Sequence, residues 1–139
     1  MGRCPGQRRE ERVSWPAFAA VGLGAALGAW LRWGLTLWTT GWSDRIPFGT
    51  LAANLGGGYA VGLAVGFFTA HPGLAPEWRL FLITGFLGGL TTFSTFSAES
   101  MILLHRGDYS WALAHILLHL LGSIALCLAG FATYQALAG

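Results

Sequence analysis

The sequence predicts an all-α membrane protein of four transmembrane helices, with the third helix broken near Gly88–Thr92. Three observations carry that expectation. The 139 residues are 54% hydrophobic and only 10% charged, whereas a soluble domain carries about 25% charge. The apolar residues gather into four long runs instead of amphipathic stripes, so lipid is the solvent for most side chains. Within the third run, the stretch Gly85-Phe86-Leu87-Gly88-Gly89-Leu90-Thr91-Thr92-Phe93-Ser94-Thr95-Phe96-Ser97 is too rich in glycine and hydroxyl residues for a plain spanning helix.

Residues 1–13 are polar, with Arg3, Arg8, Arg9 and Arg12 set against Glu10 and Glu11. They are expected to form a disordered tail, leaving 14–139 as the transmembrane domain. A positive head before an apolar run also fits a secretory signal, but this run is long and lacks a clear small-residue cleavage site. The four runs span Trp15–Trp38, Pro47–Ala70, Trp78–Leu104 and Ser110–Leu137. Each reaches the roughly 20 residues that cross a hydrocarbon core. Trp15, Trp38, Trp42, Trp78, Tyr109, Trp111 and Tyr134 fall near their ends, as an interfacial belt does.

Charge excludes other classes. All eight basic residues are scattered arginines, so there is no clustered basic face for nucleic acid. Cys4 and Cys127 sit in unlike settings, which predicts neither a disulfide nor a cysteine metal framework. No nucleophile–base pair, phosphate loop, haem or flavin signature supports an enzyme. The tail arginines favour a cytoplasmic N-terminus. Without them the bias nearly vanishes, which would permit insertion both ways and an antiparallel dimer.

In the first span, Gly24 and Gly28 form a small-residue face, and Arg32 lies near the end. That arginine either snorkels to the headgroups or lines a vestibule that attracts anions. In the second span, Gly58, Gly62 and Gly66 repeat every fourth residue, and Asn54 shares their face. Such faces support close helix packing, within one subunit or between two. Asn54 is either a helix–helix hydrogen bond or a donor lining a pathway.

Glycine weakens a helix interior by about 1 kcal/mol relative to alanine, so Gly88-Gly89 before Thr91-Thr92 marks a place for the third helix to open. Open backbone at membrane depth persists only where it faces protein, an ion or water. Phe93 and Phe96 project to one side of the helix that follows, among Ser94, Thr95 and Ser97. They are either a packed pair or rings whose positive edges meet a small anion. Glu99, beyond them, needs a polar partner that the sequence does not name. In the fourth span, His115, His119, Ser123 and Cys127 recur every fourth residue, as a buried helix contact or as a hydrated track. His115 and His119 also have the i, i+4 spacing of metal ligands, but no third ligand is placed near them.

The stretch Gly85–Ser97 closely resembles the signature of the Fluc (CrcB) fluoride channels. Gly49-Thr50-Leu51-Ala52-Ala53-Asn54-Leu55-Gly56 resembles that family's second-helix motif, and Gly24-Ala25-Ala26-Leu27-Gly28-Ala29-Trp30-Leu31-Arg32 its first. The resemblance implies a dual-topology, antiparallel homodimer with two fluoride pores in a prokaryotic plasma membrane. It implies passive export that protects the cell from accumulated fluoride. Phe93 and Phe96 would be the pore phenylalanines and Asn54 the pore-lining amide. Thr95, His119 and Ser123 would fall on the fluoride pathway, and Arg32 at a vestibule. The backbone carbonyls of Gly88 and Thr91 from both subunits would cage a structural sodium ion. His119 and Cys127 depart from the family's hydroxyl track. The rival class, small four-helix proton-coupled multidrug exporters, needs a carboxylate in the first helix, and the first span here has none.

Overall fold

A computed structural model describes residues 14–139; the expected tail at 1–13, with Cys4, lies outside the described residues. Every regular element among them is helical. Four helical spans are long and apolar enough to cross a membrane, and their ends fall within one or two residues of those read from the apolar runs.

Helix α1 covers Trp15–Thr39. Ser14 caps it by accepting the Ala17 N–H on its hydroxyl at 3.2 Å, and Pro16 occupies the first turn, where no intrahelical N–H is needed. Gly41, at φ 87°, then turns the chain away. Helix α2 covers Phe48–Ala70. The third span begins with α3, residues 76–90, which includes a π-helical stretch at Leu80–Leu87. Thr91 (φ −83°, ψ 150°) and Thr92 (φ −149°, ψ 118°) are extended. Helix α4 follows at Phe93–His105. It ends in a Schellman turn: the Gly107 N–H reaches the Leu104 carbonyl, the Asp108 N–H reaches that of Leu103, and Gly107 supplies the required positive φ of 78°. Helix α5, Tyr109–Ala138, completes the bundle.

The helices associate as two tight pairs, α2 with α5 and α1 with α3, joined through α1 and α2. Glycine makes both pairings possible. A Cβ on Gly24 or Gly28 would strike the backbone of Phe81 or Phe86, and one on Gly62 would strike the Cys127 carbonyl. Tyr134 lies across Gly66. The two small-residue faces are therefore used inside one chain, which decides between the alternatives the sequence left open. Ala53, Ala64, Leu87 and Leu90 form the buried apolar centre. Phe18, Leu23, Trp30, Trp33, Leu121 and Leu128 point outward and are largely exposed. Water would not tolerate so many large apolar side chains in one patchwork; acyl chains or a second copy would.

Candidate functional site

The site is built around the two extended threonines. Because Thr92 has left helical geometry, its N–H no longer points back to the Gly88 carbonyl and donates to Asn54 Oδ1 at 2.7 Å. Asn54 Nδ2 returns a bond to the Thr92 carbonyl at 3.0 Å. One side chain thus satisfies both backbone polar groups of Thr92, as membrane depth requires. The Thr92 hydroxyl caps α4 by accepting the Thr95 N–H at 3.2 Å, and it donates to Thr95 Oγ1 at 3.1 Å. The Thr91 hydroxyl donates to the Leu87 carbonyl at 2.8 Å. On the other side, Arg32 Nε donates to the Gly89 carbonyl at 3.2 Å.

One turn into α4, Phe96 is buried and stacked against two imidazoles. Its ring centroid lies 5.5 Å from His115 at an interplanar angle of 27°, and 4.9 Å from His119 at 29°. His115 is 0% and His119 3% exposed. Phe93 lies 5.3 Å from Phe96 but stands 71% exposed at the bundle surface. The partner that Glu99 needed is found: Oε1 accepts the Thr50 hydroxyl at 2.6 Å, and Oε2 lies 3.6 Å from His115 Nε2. Glu99, His115 and His119 each place one ligand-type atom within 4.8 Å of the others. The third ligand-type group that helix spacing did not supply is therefore Glu99. Its position three residues beyond Phe96 on α4 was the available signal, since that spacing puts both on one face.

Two grooves of about 340 Å³ each approach this cluster. One is lined by Arg45, Arg106 and Glu99, among others. The other is lined by Asn54, Phe93, Phe96, His119, Ser123 and Cys127, together with Thr91 and Thr92. The first groove touches the cluster at Glu99 and the second at Phe96 and His119. Along α5, His115 is buried and lines neither groove, His119 is buried but also lines the second groove, and Ser123 and Cys127 continue along that groove. Arg32 and Thr95 line neither groove. Gly88 is exposed and lines neither groove.

A family model described as "CrcB-like protein, Camphor Resistance (CrcB)" matches residues 19–131. The chain belongs to the CrcB family. Curated relatives agree along nearly their whole length. A protein of Cupriavidus pinatubonensis named fluoride-specific ion channel FluC is 63% identical over 121 residues, 87% of this chain and 96% of its own. Proteins of the same name from Ralstonia pickettii and Pseudomonas putida are 56% identical over 123 residues and 57% over 120. They cover 88% and 86% of this chain, and 98% and 94% of their own. With four apolar spans, this CrcB protein is a multi-pass membrane protein.

Proposed function

We propose that the protein is a fluoride channel of the bacterial plasma membrane, working as an antiparallel homodimer with two pores and carrying fluoride out of the cell down its gradient. The observation that carries this reading is the buried cluster of Phe96, His115, His119 and Glu99, with one groove reaching it at Glu99 and the other at Phe96 and His119. The relatives named as fluoride channels support the choice of ion.

Fluoride is small and firmly hydrated, so a selective path must replace its water with donors at close range. The groove holding Arg45 and Arg106 also carries Asp44 and Glu99, so its guanidiniums offer an anion local cationic contacts at one mouth without a net positive charge. The Ser123 hydroxyl and Asn54 lie along the other groove, with Thr95 part of the hydrogen-bonded turn beside it. Phe93 and Phe96 contribute ring edges, which carry partial positive charge and attract an anion without trapping it. Their bulk narrows the passage, which disfavours chloride. Phe93 gains its wall only when a second copy covers the groove, which is why the path needs a dimer.

A structural sodium ion fits the same arrangement. The Gly88 carbonyl has lost its usual N–H partner to Asn54. Gly88 is also exposed, and a Cβ placed there would meet only the Ile83 carbonyl of its own chain, at 3.6 Å. Carbonyl oxygens are the ligands a hard cation takes. Gly88 and Thr91 from two copies would hold the ion, which would supply fixed positive charge between the subunits. Arg32, tied to the Gly89 carbonyl, steadies this turn from α1.

Fluoride-loaded liposomes read by an ion-selective electrode test the proposal. Rapid fluoride efflux with chloride retained is expected. Equal chloride efflux would remove the selectivity, and drug-driven proton exchange would favour the exporter class instead.

A further inference from the structure

Asn54 is held in one orientation. Its Oδ1 accepts the Thr92 N–H and its Nδ2 donates to the Thr92 carbonyl. Turning the amide over would set N–H against N–H and oxygen against oxygen. The remaining Nδ2 hydrogen therefore meets His119 Nδ1, 3.0 Å away. An N–H cannot donate to another N–H, so Nδ1 must be the bare nitrogen of that ring. A neutral imidazole then carries its proton on Nε2. His119 Nε2 is buried and has no hydrogen-bond partner among the described residues. It belongs to a ring that stacks on Phe96 and lies 4.4 Å from that of His115. Meanwhile both amide hydrogens of Asn54 are engaged, so Asn54 has no donor left for an ion.

We propose that Asn54 is a positioning residue that locks His119 as its Nε2–H tautomer, and that this uncharged N–H is the donor offered to a small, hard anion as it passes Phe96. The proposal rests on the channel reading and moves the donor role from the amide to the imidazole behind it. An uncharged donor suits transit: it replaces one water contact without the deep well that a fixed cation would make. The same lock counts against a transition-metal site at Glu99, His115 and His119, despite their proximity. Nδ1 of His119 is occupied by the amide, and Nε2 bears a proton where a metal needs a lone pair.

Nitrogen-15 NMR of histidine-labelled protein in lipid bilayers reads the tautomer directly. The pH is kept alkaline so that imidazole is neutral, and the His119 signals are assigned by their loss in H119S. Wild type should show Nε2 protonated and Nδ1 bare, with the Nε2–H signal shifting on addition of fluoride. N54D replaces the amide N–H by an oxygen acceptor, so Nδ1 should become protonated. In liposomes, N54D should slow fluoride efflux by about tenfold, and the same change in the H119S background should have no further effect. A wild-type ring protonated at Nδ1, an equal effect of N54D in both backgrounds, or stoichiometric Co²⁺ binding with the visible bands of a histidine–carboxylate site would each overturn the proposal. The wild-type tautomer is read without any transport, so its failure is separable from that of the channel reading, which wild-type liposomes that retain their fluoride would reveal.

Discussion

Thr92 and Asn54, 38 positions apart, complete each other's hydrogen bonding: the threonine N–H and carbonyl meet the amide oxygen and nitrogen at 2.7 and 3.0 Å. Removing that side chain leaves both backbone polar groups of one residue, the Thr92 N–H and carbonyl, unpaired in an apolar setting. N54A should therefore cost about 1–3 kcal/mol and lower the thermal midpoint of the purified protein. A midpoint equal to that of wild type would mean that water or another donor already serves Thr92.

The glycine faces give a contrast within single helices. Gly28 of α1 leaves no room for a Cβ against the Phe86 carbonyl, while Gly34, further along the same helix, has nothing within 4 Å. G28A should destabilise the bundle by about 1–3 kcal/mol through overpacking. G34A should be neutral or stabilising by up to about 1 kcal/mol, because alanine favours helix. Thermal unfolding in detergent compares the two, and equal midpoints would show that α1 can slide on α3 without loss.

The span limits were legible because hydropathy over some twenty residues averages out local detail, and the turns at Gly41 and Gly107 fall in polar punctuation. Asn54 stood out because an amide on a glycine face is expensive to leave unpaired. What sequence could not give was partnership across helices. Glu99 meets Thr50 and His115 only because α2, α4 and α5 converge, and nothing in the spacing of one helix reports its distance from another. The same limit left the glycine faces ambiguous until α3 and α5 were seen lying against them. It also hid the tautomer of His119, which follows from the orientation of an amide on α2.

Phe93 and Phe96 differ in burial but share a role in the proposed path, so their substitutions should separate packing from conduction. F93I changes an exposed ring and should leave the fold's stability near wild type. F96I removes the stack on His115 and His119 and should lower stability as well, by about 1 kcal/mol. Both should reduce fluoride efflux by about tenfold or more, equivalent to about 1.4 kcal/mol or more in the barrier. Full efflux through F93I would assign that ring to lipid or to subunit packing.

Gly88 separates the fold of one subunit from the assembly of two. A side chain there meets only the Ile83 carbonyl of its own chain, at 3.6 Å, so G88L should leave helix content and subunit stability close to wild type. In the proposed dimer, however, Gly88 carbonyls of both copies converge on a cation, and a leucine would hold the backbones apart. Cross-linking in detergent and in bilayers should therefore show wild-type dimers and G88L monomers, with fluoride efflux lost in the variant. Replacing sodium by a large organic cation during purification should weaken the wild-type dimer in the same direction and leave G88L unaffected. If G88L still dimerises and conducts, the carbonyls near residues 88 and 91 do not sit on the two-fold axis, and the subunits must meet through another face.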